Sequence, residues 1–243
     1  MRSPAISVLH RRLTLSTLAL AAAVGLLAGS GCGGLDPYKI AERSVRRYLA
    51  DYLGPARNYR VRIDRQDTRL TGGYLSRLDI SAEGLRTKGG FEIESAEAEL
   101  HGVRFDRKTR SLQSVESSAF TATVTHAGAN AYLAAHDRGI NGLSVEFEEG
   151  EIIVHAAPKV LGIAIPVTLR GRGAPDGESK IRFLTDGLAV SRLNLPEPAV
   201  RFVERRINPV FDLDELQLPV KLRKVESRKG TLILSGEVKL PIR

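Results

Sequence analysis

Side chains that could do chemistry are few in this chain, and they fall at no catalytic spacing. His101, His126, His136 and His155 are the histidines beyond the first thirty residues. His126 and His136 stand ten residues apart, which places them on no common helix face, and the His-Glu-x-x-His pattern of zinc enzymes does not occur. No Gly-x-Ser-x-Gly nucleophile elbow is present, and neither Gly-rich phosphate-binding pattern. Glu92, Glu94, Glu97 and Glu99 alternate along one segment, which is what a solvated strand face requires and not what an acid–base pair requires. The residues therefore predict a protein that is not an enzyme, with surface or hydrogen-bonded histidines in preference to a metal site, which would need ligands gathered from distant segments. An envelope hydrolase is the reading this leaves standing third: it needs His101, His136 or His155 to meet a carboxylate or serine in one cleft.

The single cysteine, Cys32, suggests a different chemistry. Arg2, Arg11 and Arg12 precede an apolar stretch from Leu13 to Leu27, small residues follow, and no acidic residue comes before Asp36. The stretch is short for a membrane span and has the layout of a bacterial export signal. Residues 1–31 are read as a signal peptide, with Cys32 as the acylated N-terminus of a lipoprotein and residues 32–35 as anchor and short linker. Cleavage by an ordinary signal peptidase near Gly29 to Gly31 is the alternative, because Gly29 stands where lipoprotein signals usually carry Leu. With no second cysteine there is no intrachain disulfide. Residues 1–31 hold three of the 36 basic residues and none of the 28 acidic ones, so the mature chain has 212 residues and net charge +5. That length suits one domain over 36–243. A modestly basic exported protein is drawn to anionic lipid or polyanionic wall polymers. No nucleic-acid signature is present.

Arginines cluster twice, as Arg43, Arg46 and Arg47 and as Arg201, Arg205 and Arg206. The guanidinium fork suits phosphate oxygens, although a solubilising helix face has the same composition.

These residues must be positioned by the elements around them. Asp36-Pro37 caps a helix, Ile40, Ala41, Val45, Tyr48, Leu49, Tyr52 and Leu53 recur at helical spacing, and Gly54-Pro55 stops it, which predicts an amphipathic helix over 37–53. Alternating segments follow: Tyr59/Val61/Ile63, Leu78/Ile80/Ala82, Phe91/Ile93 slipping phase near Ser95 to Ala96/Ala98/Leu100, and Phe120/Ala122/Val124. The slip predicts a β-bulge or a bend. Thr125 caps a short helix ending near Gly139, and Leu143 to Val154 forms a hairpin turning at Glu149-Gly150. Pro198 opens a second arginine-bearing helix before the closing strands. One-sided alternation and too few helices for βαβ crossovers predict an antiparallel sheet in an α+β fold.

"KVLGIAIPVTLRG", residues 159–171, carries Leu161, Ile163, Ile165, Val167 and Leu169 as one apolar row. Pro166 offers no ladder donor, which places that part of the strand at an edge or a bulge.

The segments "LDISAEGLRTKGGFEIESAEAELHGVRFD", "SVESSAFTATVTHAGANAYLA", "VEFEEGEIIVHAAPKVLGIAIPVTLRGRG" and "GTLILSGEVKL" follow in order the pattern of the bacterial LmeA-like phospholipid-binding proteins. The chain resembles that family of exported or membrane-anchored envelope proteins over about residues 36–243. The resemblance implies phospholipid binding without turnover or cofactor. It also implies a bent antiparallel sheet curled around a long N-terminal helix, similar to half of a tubular lipid-binding (TULIP-like) fold. One departure is the lipoprotein-like cysteine, since many relatives look soluble or carry an N-terminal membrane helix.

Together these observations predict an exported envelope lipoprotein, in the periplasm or at the extracellular face, that binds phospholipid, anionic by its arginines, for lipid transport or envelope maintenance. Tyr48, Tyr52, Leu161, Ile163, Ile165, Phe183, Phe202 and Phe211 are the candidate acyl-groove residues, although each suits an ordinary core equally well. The six clustered arginines are the head-group candidates. The alternative is a non-enzymatic scaffold lipoprotein whose partner is another envelope protein or a wall polymer.

Overall fold

The computed structural model describes residues 36–106, 111–136, 139–160, 163–187, 205, 207–216 and 218–239. The signal segment, Cys32, Leu161, Arg201, Phe202, Arg206 and most of the helix expected from Pro198 lie outside them.

Helix α1 spans Pro37–Leu53. Asp36 Oδ1 accepts from the Tyr38 N–H at 3.0 Å, and Gly54 caps the far end. Ala41, Val45 and Leu49 form its buried stripe. At 17 residues, roughly 26 Å long, it is a helix of moderate length and not the long one expected. Strands β1 (Asn58–Ile63), β2 (Tyr74–Arg86), β3 (Glu92–Asp106), β4 (Ser111–Ser114) and β5 (Ser117–Thr125) follow. After α2 (His126–Ala135) come β6 (Asn141–Glu148), β7 (Glu151–Ala157), β8 (Lys159–Val160), β9 (Ile163–Ala164), β10 (Val167–Asp176), β11 (Lys180–Gly187), β12 (Phe211–Asp212), β13 (Val220–Arg228) and β14 (Thr231–Val238).

The described chain is mostly β, so the α+β class expected from the sequence overstates its helix. The expected bent antiparallel sheet is present, and among the described residues a second large sheet and a two-stranded ribbon accompany it. A seven-stranded curled antiparallel sheet runs β1-β2-β3-β5-β14-β13, with β4 on β3, and a five-stranded one runs β12-β11-β10-β7-β6. One apolar core joins them. Asn130 of α2 fastens that helix to β6: its Nδ2 donates to the Val145 carbonyl at 2.9 Å and its Oδ1 accepts from the Val145 N–H at 2.7 Å. Asn208 grips Phe183 of β11 in the same two-pronged way.

The apolar row of residues 159–171 is not one edge strand. Among the described residues β8 and β9 pair with each other alone, Pro166 stands between β9 and β10, and β10 is an interior strand between β7 and β11. Val167 and Leu169 are core residues, 3% and 1% exposed.

The phase slip near Ser95 is a bend without an inserted residue. β2 and β3 stay in one register from Tyr74↔Arg104 to Arg86↔Glu92. Both strands change their inward row at the same level, β2 between Ala82 and Leu85, β3 between Ile93 and Ala96. Gly84, at φ +58°, takes the left-handed conformation there. Arg57 crosses over it to reach Glu94 at 2.9 Å, and a Cβ on Gly84 would collide with Arg57 Nε.

Candidate functional site

Between α1 and the concave face of the larger sheet lies an apolar groove of about 160 Å³. Tyr48, Leu49, Tyr52 and Leu53 of α1 form one wall, and Leu213, Leu218, Pro219 and Val220 close the other side. The floor comes from inward positions of the sheet. Ala82 pairs with Ala96, and Ala96 with Ala122, so three alanines lie side by side across β2, β3 and β5. Ala98 sits in the next inward row, between Ile80 and Phe120. A Cβ is all that each alanine offers, so the sheet is hollow beneath the helix. A cavity of this size in a filled core would cost roughly 4 kcal/mol, on the order of 24 cal/mol per Å³. The sequence places alanines there, where leucines would fill the hollow.

One end of the groove, at Leu53, Leu85 and Ile93, is closed by backbone bonding: the Lys88 N–H donates to the Leu53 carbonyl and the Arg86 N–H to the Pro55 carbonyl. The other end reaches Leu100, Leu112, Val238 and Lys239, and Lys239 is exposed. Among the described residues lining the groove, the charged ones are Glu97 and Lys239. Glu97 is exposed and alternates with the inward Ala96 and Ala98, so its side chain belongs to the opposite face.

That opposite face carries a second, larger depression of about 730 Å³. Four adjacent strands give it the outward residues Arg60 and Arg62, Asp79 and Ser81, Glu97 and Glu99, and Ala119 and Thr121, and Glu42 and Arg46 reach it from α1 over the β1 edge. Four arginines, with Arg77 the fourth, meet four carboxylates there, so the depression carries no net charge to hold an anion. Arg77 hydrogen-bonds Asp79 at 2.7 Å and faces Glu99 at 3.2 Å. The bond to Asp79, with the charges of Asp79, Glu99 and Asp64, pushes the already high Arg77 pKa further up. The two hollows differ in their lining: the small one is apolar, the large one ionic.

The groove brings together two of the eight acyl-contact candidates, Tyr48 and Tyr52, stacked with centroids 5.6 Å apart. Ile165 is partly buried against the core elsewhere. Phe183 is 2% exposed in the smaller sheet, and Phe211, 1% exposed, packs its ring 5.1 Å from that of Phe91. Neither phenylalanine lines the groove. Ile163 lies on β9, away from the groove-lining strands. Of the head-group candidates, Arg46 lines the ionic depression, and Arg43, Arg47 and Arg205 are exposed.

The histidines stand apart from both hollows' interiors. His101 Nε2 pairs with Glu99 at 2.5 Å, and His155 lies 3.4 Å from Glu146 and 3.1 Å from the Thr168 hydroxyl. In both His–Glu contacts the two side chains are more than a third exposed on a sheet face. His136 stacks on Tyr132 and bonds its carbonyl through Nδ1 at 2.9 Å. Among the described residues no cluster of His, Cys, Asp and Glu could hold a metal ion. No described helix is long and apolar enough to cross a membrane.

Sequence reasoning missed the alanine floor. Ala96 and Ala98 alternate visibly in "SAEAEL", but their alignment with Ala82 and Ala122 depends on strand register, which one sequence does not print.

A family model described as LmeA-like phospholipid-binding matches residues 39–237. No curated protein and no solved structure matches the chain.

Proposed function

The chain belongs to the LmeA-like phospholipid-binding family, and on that premise we propose that it holds phospholipid hydrocarbon in the groove between α1 and the seven-stranded sheet. The observation that carries this reading is the alanine floor Ala82–Ala96–Ala122: an unfilled apolar hollow with aromatic walls, in a chain whose family binds an amphiphile. Each methylene moved from water into such a surface contributes about 0.8 kcal/mol, so hydrocarbon burial supplies the affinity without any specific polar contact.

In this reading the protein binds and does not turn over its ligand, and the curled sheet with its flanking helix acts as half of a tubular lipid-binding fold. It is exported through the signal of residues 1–31 and tethered through acylated Cys32, in the cell envelope, where it serves lipid transport or envelope maintenance. The exposed Arg43, Arg47 and Arg205 favour an anionic membrane surface, where each basic side chain contributes about 1 kcal/mol.

Native mass spectrometry of the purified chain, with extraction of whatever it carries, tests the binding. A phospholipid that co-purifies, or is taken up from added vesicles of phosphatidylglycerol, supports the reading; a chain that stays lipid-free under both conditions sinks it. The mass of the N-terminal peptide, compared with that of Cys32→Ser, tests the anchor. An unmodified thiol at Cys32, or a mature chain starting elsewhere, removes it.

A further inference from the structure

At about 160 Å³ the groove is close to the ~150 Å³ of a cavity that holds one benzene ring, so it is too small for an acyl chain as it stands. Phospholipid binding there requires a wall to move, and the walls differ in how they are held. The floor is fixed, since β2, β3 and β5 pair in register through Ala82, Ala96 and Ala122. The side at Leu213, Leu218 and Val220 is fixed as well. The Leu213 N–H donates to the Ser179 carbonyl at 2.7 Å, the Leu218 N–H to the Leu213 carbonyl at 2.9 Å and the Leu222 N–H to the Glu178 carbonyl at 2.7 Å.

Helix α1 is held firmly at one end. At its last residue and just beyond, the Lys88 N–H donates to the Leu53 carbonyl, the Arg86 N–H to the Pro55 carbonyl and the Tyr59 hydroxyl to the Gly54 carbonyl. Gly54 has φ +124°, which side chains rarely adopt, and a Cβ there would collide with the Arg86 carbonyl oxygen. From Pro37 to Ala50, among the described residues, no backbone hydrogen bond joins α1 to the sheet. The polar ties there are made by side chains. Glu42 Oε1 accepts from the Ile63 N–H at 3.0 Å, the Tyr38 hydroxyl reaches the Thr68 carbonyl at only 3.4 Å, and Arg65 pairs with Asp36. The apolar grip also shrinks away from Gly54, from Leu49 to Val45 to Ala41. A depression of about 570 Å³, lined by Glu42, Ile63 and the charged Arg62, Asp64 and Arg77, borders the Glu42 bond. Water therefore receives both partners when that bond opens, which keeps its net cost small.

Resting on the phospholipid-binding reading above, we propose that α1 is a lid. It turns at Gly54, its N-terminal turns swing away from β1, and the Glu42–Ile63 bond is the latch that holds it shut. The groove described above is the closed state. A lipid chain entering between helix and sheet replaces the apolar contacts that Ala41 and Val45 give up, so the ligand favours the open state by its differential contacts.

Two spin-labelled forms of the full chain, both carrying Cys32→Ser, test this by pulsed electron paramagnetic resonance. One pairs Arg43→Cys, toward the free end of α1, with Thr121→Cys on the outward face of β5. The other pairs Asp51→Cys, near Gly54, with Thr121→Cys; all three positions are exposed. On adding vesicles of phosphatidylglycerol, the Arg43 distance is expected to grow by about 4 Å or more, the contact distance between carbon layers, and the Asp51 distance by less than half as much. Glu42→Ala removes the latch and is expected to take up fluorescent phosphatidylglycerol at least about threefold faster than the wild type, as the loss of one modest hydrogen bond implies. Glu42→Gln keeps an acceptor and is expected to take it up at close to the wild-type rate. Equal growth at both positions, or none while lipid is bound, would overturn the lid, and an unchanged uptake rate in Glu42→Ala would overturn the latch. Failure of the wild type to bind phosphatidylglycerol strikes at the binding reading itself, which keeps the two failures apart. Should Glu42→Ala fail to fold, the two distances decide alone.

Discussion

Tyr48 and Tyr52 stack face to face one helical turn apart, with ring centroids 5.6 Å apart and planes 13° from parallel. The four-residue spacing brings them onto one helix face, and that face forms a wall of the groove. Two flat rings make a continuous surface above the alanine floor, where a pair of branched aliphatic side chains would leave a corrugated one. Their partial exposure leaves them open to a ligand chain and to water alike.

Truncating the wall should therefore affect binding more than folding. Tyr52→Ala is expected to lower the affinity for phosphatidylglycerol by about tenfold, the loss of one aromatic contact of about 1.5 kcal/mol. Tyr52→Leu should retain more than half of the lost binding energy. Fluorescent-lipid displacement measures both; equal affinities for wild type and Tyr52→Ala would place the ligand elsewhere.

Tyr48 and Tyr59 predict an alkaline weakness. Burial, and then the neighbouring Tyr52 charge, pushes Tyr48 up to about 12, and burial alone pushes Tyr59 up to about 12. A folded-state pKa raised above the unfolded value of about 10 gives stability that is complete below pH 10 and is lost as pH rises through 12. Tyr48→Phe removes one such group, so its stability relative to the wild type should rise between pH 10 and 12 in urea denaturation. A difference that stays constant across that window would contradict the assignment. Tyr59→Phe also loses the 2.8 Å bond to the Gly54 carbonyl, and should cost about 1 kcal/mol at neutral pH.

Asn130 carries both polar bonds to the backbone of Val145, a residue with no exposed surface. Asn130→Leu strips a buried N–H and a carbonyl of these partners at once and should cost about 3 kcal/mol, in the range for unsatisfied buried groups. Asn130→Asp keeps the acceptor but, ionised, turns a carboxylate toward the carbonyl. That raises its folded pKa, so its deficit against the wild type should be smaller at pH 4 than at pH 7. Denaturant midpoints at the two pH values check this; equal deficits would mean the side chain turns outward to water.

The helix over 37–53 and the hairpin of β6 and β7 were legible because cap, period and turn residues agree locally: Asp36-Pro37, the Val45/Leu49 stripe, Glu149-Gly150. Division into two sheets was not legible, since nothing local in "KVLGIAIPVTLRG" tells an edge strand from a broken ribbon followed by an interior strand. The groove was half legible. Tyr48 and Tyr52 stand out as large and periodic, whereas Ala82, Ala96 and Ala122 matter through what they lack and through pairings across forty residues of chain. Large apolar residues such as Phe183 and Phe211 drew attention in the sequence because they are large, and the structure spends them on packing.

Gly84 offers the sharpest test of why the floor bends. The inward row changes phase on β2 and β3 at its level, its φ is +58°, and Arg57 lies across it toward Glu94. An L side chain in the left-handed region costs about 1–2 kcal/mol, and asparagine tolerates that region better than alanine. The Arg57–Glu94 pair is exposed and contributes under about 1 kcal/mol, so displacing Arg57 adds little. Gly84→Ala is thus expected to lower stability by about 1–2 kcal/mol and Gly84→Asn by less than half as much, an ordering that strand propensity alone would reverse. Thermal melts, where 1 kcal/mol shifts the midpoint by about 2–4 °C in a domain of this size, resolve the pair. If the order is inverted, with alanine the milder change, the bend does not require the left-handed conformation, and the phase slip must come from the twist of the long β2–β3 ribbon.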